Sequence, residues 1–361
     1  MNKIPLYIRV SSAIIGLYVF FYILFLGREI LVPLAFAWIL AILLNPFVNF
    51  FTRYKMNRIL AIGISVVVLI IVFGGILFFI FSQASLFSES WPELKIKFNT
   101  LLTGGLTWVS DTFNVGQAEV HKWMVQQKDA GLQGASGMIT ETISTVSGAV
   151  VTMLLIPVYI FLFLFYKPLL LDFIAKLFSR DKHQVVTEVL NQIKSLIQNY
   201  LLGLLIEMII VATMNSVALL IIGVKYAVLL GIIGAILNLI PYIGGIVAIA
   251  LPMIMAVLTE NPMSAVFVLI AYTIIQLIDN NFLVPKIVAS KVRVNALISI
   301  IVVLLGGALW GVSGMFLSIP LIAIIKVVCD RVPSLQPLGL LIGDSMPDIG
   351  KAIFKFNFKK K

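Results

Sequence analysis

Two carboxylates set inside long apolar runs are the residues of this chain best placed to do chemistry. Glu207 lies within the run 200–222, and Asp279 lies near the end of the run 265–285. A carboxylate at the middle of a membrane costs about 3 kcal/mol on insertion scales, so it is kept for a reason. Burial favours the neutral form of a carboxyl, which suits a group that takes up and gives back a proton. Asp279 is followed by Asn280 and Asn281, whose amides offer donors and acceptors on adjacent helical faces. Asn238 stands just before Pro241, where it can cap or line a break in a helix. Asp279, Asn280, Asn281, Glu207 and Asn238 are therefore the candidate substrate- or ion-binding residues. The plainer alternative makes Asp279 a structural partner of a hairpin tip or of Lys286, and brings Glu207 only to the membrane interface. Ser299, Ser313 and Ser318 read as helix-packing residues.

Other chemistries lack their parts. The two histidines, His121 and His183, are far apart, and Cys329 is the single cysteine, which leaves no zinc ligand set and no intrachain disulfide. No nucleophile–base set and no carboxylate pair at catalytic spacing occurs, so no catalytic residue, metal or cofactor is expected. A Gly-rich phosphate loop of the Walker type is absent, which argues against an ATP-driven pump. The net charge of +10 is not a nucleic-acid footprint, because no basic patch interleaved with aromatics accompanies it.

The elements that must hold the carboxylates are membrane helices. Hydrophobic residues make up 61% of the chain and charged ones 12%, and the charges cluster between apolar runs. The expected fold is all-α: a polytopic helical membrane protein with two interrupted, re-entrant helical hairpins in its C-terminal half. The first interrupted run, 226–258, would be about 50 Å long as one helix, against a hydrocarbon core of about 30 Å. It is broken by Pro241 with Gly244 and Gly245 beyond it. The second, 295–328, is broken at Gly306, Gly307, Gly311 and Gly314. Paired interrupted segments are the best sequence pointer to a transporter's binding site, because irregular backbone at membrane depth must line a cavity or be buried in protein.

Three N-terminal transmembrane helices are expected over 1–83. The runs 10–26 and 30–51 form a tight hairpin rather than a cleaved leader, since Gly27-Arg28-Glu29 is no small-residue cleavage site. Asn45-Pro46 predicts a kink in the second of these helices. A polar insert at 84–146 is expected to form short amphipathic helices outside the cytoplasm. The core transport region, 147–361, then holds spans at about 147–166 (bent at Pro157), 200–222 and 264–285. It also holds a cytoplasmic amphipathic helix at 176–199, the two hairpins and a basic tail. With both runs re-entrant and the N-terminus inside, all Lys and Arg fall on the inner side except Arg28, Lys95, Lys97, Lys122, Lys128 and Lys225. Full crossings would instead move Lys286, Lys291 and Arg293 outside, so the positive-inside rule favours re-entry. Both termini are expected in the cytoplasm of a cell-membrane protein, and the tail 351–361, with Phe between its lysines, to meet anionic lipid.

Three motifs carry a family resemblance. They are Asn238-Leu-Ile-Pro-Tyr-Ile-Gly-Gly, then Gln276-Leu-Ile-Asp-Asn-Asn-Phe-Leu-Val-Pro-Lys-Ile, then Gly306-Gly-Ala-Leu-Trp-Gly-Val-Ser-Gly-Met-Phe-Leu-Ser-Ile-Pro. With the layout of three early spans, an insert and a broken C-terminal half, the chain resembles the autoinducer-2 exporter family of bacterial and archaeal membrane proteins. The resemblance implies a permease for a small solute such as a signal molecule, acting as a homo-oligomer, with a ring as one form. It also implies an alternative, a sodium- or lithium-linked proton antiporter. A second alternative is a membrane scaffold or enzyme that transports nothing. The motifs build the shared scaffold and do not choose a substrate.

Overall fold

The computed structural model describes residues 5–113, 154–240, 244–259, 262–288 and 294–344. All regular elements among them are helical. In chain order they are α1 (Leu6–Leu26), α2 (Arg28–Arg53), α3 (Arg58–Phe113), α4 (Leu154–Phe165), α5 (Lys167–Leu177) and α6 (His183–Ile222). Then follow α7 (Ala227–Asn238), α8 (Gly244–Thr259), α9 (Pro262–Ile278), α10 (Ala296–Arg331) and α11 (Gln336–Ile342). Six helices among the described residues are long and apolar enough to cross a membrane, or seven if the bent pair α4–α5 counts as one span.

The first interrupted run folds as two half-helices. α6 ends in a left-handed cap at Gly223 (φ 91°), where the amides of Gly223 and Val224 both bond the Leu219 carbonyl. The chain then returns along α6 as α7, and a Cβ at Gly231 would meet the Ser216 backbone nitrogen at 2.6 Å. α8 turns back against α7: a Cβ at Gly244 would lie 1.8 Å from the Leu237 carbonyl oxygen. α7 and α8 hold 12 and 16 residues, about 18 and 24 Å, so each is shorter than the hydrocarbon core. Of the expected breaks, Gly244 and Gly245 start α8, whereas Pro241 lies outside the described residues.

The second interrupted run passes for one long helix by length and composition, but it doubles back. Trp310 (φ −131°, ψ 16°) and Gly311 (φ 61°, ψ −143°) leave the helical region. Ser318 Oγ donates to the Val302 carbonyl at 2.8 Å, and a Cβ at Gly314 would sit 2.0 Å from the Gly306 carbonyl oxygen. Residues sixteen apart would be about 24 Å apart in a straight helix. Gly306 and Gly314 are the crossing point of the two arms, where bare backbone alone fits. The tip is pinned from outside, as Trp310 Nε1 donates to the Leu24 carbonyl at 3.0 Å near the end of α1. Asn295 caps the first arm, accepting from the Ile298 amide, and donates to the Leu341 and Gly343 carbonyls to hold α11.

Several expected boundaries move. The amphipathic stretch 176–199 and the span 200–222 largely share one 40-residue helix, α6. Between His183 and Gly203 no Gly or Pro interrupts the helix, so the change from amphipathic to apolar patterning does not break it. α3 runs on past its span through Pro92 to Phe113, one helix where short ones were expected. The rest of the insert falls outside the described residues, as does the tail. Pro157 lies within α4, and the chain bends by 62° at Tyr166, between α4 and α5, where the fourth span was expected to end. Pro46 sits inside the continuous α2, and the carbonyl it cannot pair, that of Ile42, accepts from Gln198 Nε2 at 2.7 Å.

α6 is the shared wall of the packing. Its first half packs with α2 and α10 through Ile193, Ile197, Tyr200, Leu204, Ile39 and Leu317. Its end packs with α7, α8 and α9 through Leu219, Leu230, Ala256, Val268 and Tyr272. A separate cluster joins α2, α3 and α4 through Ala37, Ala41, Ile62 and Ile160. The outer faces of α1 and α3 are apolar and exposed, as lipid-facing surfaces are.

Candidate functional site

Three of the five candidate residues come together. Glu207 from α6 and Asp279 from the end of α9 face each other, carboxyl to carboxyl. Asn238, the last residue of α7, donates its amide to Asp279 Oδ2 at 2.8 Å. Glu207 is 5% exposed and Asp279 2%, so the pair is inside the protein and not at its lipid surface. One further oxygen of each carboxyl, Glu207 Oε2 and Asp279 Oδ1, is buried with no hydrogen-bond partner. Two acceptors that face each other satisfy nothing unless a proton or a cation comes between them.

The backbone at Asp279 is as unusual as the side chains. From Asp279 to Val288 the chain winds in wide π-type turns that include Pro285. Such turns are rare and recur at functional sites. Asn280 and Asn281 do not join the carboxyls. Asn280 is exposed and accepts from Gln276 Nε2 at 3.3 Å, and Asn281 donates back to the Leu277 carbonyl at 2.8 Å. Lys286 lies over the Phe282 ring at 5.8 Å. Ser299 and Ser318 spend their hydroxyls on the Asn295, Val302 and Gly314 carbonyls, in keeping with packing roles.

A second polar level, absent from the sequence reading, lies two helical turns away on the same helices. Asn215 stands eight residues beyond Glu207 on α6, about 12 Å along the axis, and Tyr272 seven before Asp279 on α9. Both converge on the bare face of Gly234, where a Cβ would lie 3.4 Å from Asn215 Nδ2 and 3.5 Å from Tyr272 Oη. Asn215 Oδ1 and Tyr272 Oη are buried without partners. Between the two levels lie Val211 and Ile275, both buried. The available signal was spacing: each residue repeats the helical face of a carboxylate already singled out.

Apolar helices long enough to span, exposed apolar outer faces and polar groups turned inward define a multi-pass helical membrane protein. Residues 13–334 match the family described as AI-2E family transporter, and the chain belongs to that family of transport proteins. It is 25% identical over 319 residues to the AI-2 transport protein TqsA of Escherichia coli (strain K12), covering 88% of this chain and 90% of that one. It is 27% identical over 312 residues to "Putative transport protein YueF" of Bacillus subtilis (strain 168), covering 81% and 82%. It is also 26% identical over 324 residues to a "Putative transport protein" of Haemophilus influenzae, covering 88% and 91%. Among the described residues no group of three or more His, Cys, Asp or Glu could hold a metal ion, so the carboxyl pair would need amide oxygens to complete a cation shell.

Proposed function

We propose that this membrane transporter is an ion-gradient-driven secondary carrier that exports a small solute, an autoinducer-like signal molecule, with Glu207 and Asp279 as its coupling centre. The observation that supports the reading most directly is the facing pair of buried carboxyls, each with one bare oxygen, at the tip of the α7–α8 hairpin. Like charges held together in a protein interior repel, and one shared proton relieves the repulsion while giving each bare oxygen a partner. Transfer of that proton to one side of the membrane, and its replacement from the other, would couple flux to the proton gradient. Asn238 holds Asp279 from the hairpin tip, so motion of the tip would alter the pair's access and affinity. The name of the relative TqsA supports an autoinducer-like solute.

The second reading is a sodium- or lithium-linked proton antiporter. The same geometry favours it, since two carboxyls and an amide oxygen are hard-oxygen ligands for a small cation that displaces the proton. In both readings the protein sits in the cell membrane with cytoplasmic termini, works as a homo-oligomer, with a ring as one form, and performs no catalysis. The test is reconstitution into sealed vesicles with an imposed proton gradient. Accumulation of a labelled small polar solute would support the first reading and sodium or lithium exchange the second. Collapse of neither gradient across a broad panel would contradict both.

A further inference from the structure

The face where α2, α3, α4 and α6 meet carries positive charge that no ion pair among the described residues balances. Lys167 starts α5 just past the 62° bend, and its ammonium donates to Asn45 Oδ1 at 2.9 Å. Arg58, at the start of α3, donates to the Leu164 carbonyl at 2.9 Å, which brings its guanidinium to the same bend. Lys194 stands one turn before Gln198 on α6, and Gln198 reaches the Ile42 carbonyl on α2. Asn45 lies three residues past Ile42, so the antiparallel course of α2 and α6 sets Lys194 at the depth of Asn45. The charged groups that act on Lys167 are Lys194 and Arg58, both cations. The ion pairs among the described residues, Lys176–Asp172, Lys326–Asp330 and Arg331–Glu188, involve none of the three.

A second observation points the same way. Asn45 is 6% exposed, and while its Oδ1 is taken by Lys167, its Nδ2 is buried with no acceptor. Three cations and one neutral donor thus converge where the described residues supply no paired anion. Lys194 and Arg58 are exposed and Lys167 half-buried, so the place opens to the surface.

We propose that this cationic face binds a phosphate-bearing anion, with Lys167, Arg58 and Lys194 supplying charge and Asn45 Nδ2 a neutral hydrogen bond. Phosphate oxygens accept from several donors at once, and basic pockets between transmembrane helices hold anionic headgroups in this way. A lipid phosphate and a free phosphate share this chemistry. The site is remote from the carboxyl pair and does not depend on what is transported.

The experiment uses the full-length protein in detergent, read by native mass spectrometry and by melting. It is titrated with phosphatidylglycerol, with phosphatidylcholine and with inorganic phosphate. Phosphatidylglycerol should be retained over phosphatidylcholine and should raise the melting temperature. Lys194→Gln should weaken its retention about tenfold, the loss of one charged contact. Arg180→Gln, which removes an exposed cation outside the trio, should change nothing. Protection by phosphatidylglycerol alone assigns a headgroup site, and protection by inorganic phosphate as well assigns a free-anion site; either supports the proposal. Asn45→Asp places a carboxylate among the three cations. It should abolish phosphatidylglycerol retention while raising the melting point of the lipid-free protein, an outcome a merely structural Asn45 would not give. Equal retention of both lipids with no effect of phosphate, or equal losses in Lys194→Gln and Arg180→Gln, would overturn it.

Discussion

At the scale of single residues, the buried polar atoms that have partners hold the fold, and those that lack them mark the site. Asn238→Ala should leave Asp279 Oδ2 without its donor and destabilise the protein by about 1–3 kcal/mol, the cost of an orphaned buried acceptor. A melting curve in detergent checks this, and an unchanged curve would mean that the bond contributes nothing. Gly234→Ala is the complementary case. Its methyl fits at ordinary contact distances, 3.4–3.6 Å from Asn215, Tyr272 and Ala248, so folding should survive. It nevertheless covers the face on which the Asn215 amide and the unpartnered Tyr272 hydroxyl converge, and vesicle flux should fall several-fold with the melting point nearly unmoved. Full flux would show that the second polar level takes no part in transport. Glu207 and Asp279 were legible in the sequence because a charge in an apolar run is costly and therefore conspicuous. Asn215 and Tyr272 were not, because a single amide or phenol in a membrane helix is common. Their meaning appears only when α6, α7 and α9 are placed side by side. Asn280 and Asn281 were singled out as binding candidates by adjacency to Asp279, and their side chains bond to Gln276 and to the Leu277 carbonyl rather than to the carboxyls.

At the scale of elements, the two hairpins were legible because each apolar run is too long for one crossing and carries glycine at its break. Glycine did not say which residue turns the chain. In the second hairpin the turn falls at Trp310–Gly311, while Gly306 and Gly314 serve the crossing of the arms. Substitution separates these roles. Gly314→Ala would drive a methyl to 2.0 Å from the Gly306 carbonyl oxygen and should prevent the arms from closing, seen as loss of folded protein by size-exclusion chromatography. Gly311→Ala meets no atom within 4 Å and carries only the strain of a φ of +61°, about 1–3 kcal/mol, so folded protein should persist with a lowered melting point. Equal behaviour of the two variants would contradict the assignment. The continuous α6 was not legible, since a helix that leaves one environment for another changes its pattern without changing its backbone.

At the scale of the whole molecule, the hairpins enter the bundle from opposite ends. α7–α8 leaves and rejoins at the end of α6, whereas the tip of the second hairpin reaches the far end of α1 at Leu24. With the N-terminus taken as cytoplasmic, the distribution of Lys and Arg along the sequence predicts a cytoplasmic 286–293. In a Cys329→Ala background, a cysteine at position 290 should resist an impermeant thiol reagent added to intact cells and react once they are opened. Reaction from outside would reverse the placement. The most direct test of the central claim, that the carboxyl pair couples transport to protons, is flux against external pH for the wild type and for Asp279→Asn in sealed vesicles. The amide keeps the shape and the donor from Asn238 but cannot ionise. The wild type should show a pH-dependent, gradient-driven flux. Asp279→Asn should show a strongly reduced, pH-independent flux with folding and oligomeric state preserved. A variant with the wild-type pH profile and only a lowered melting point would contradict it.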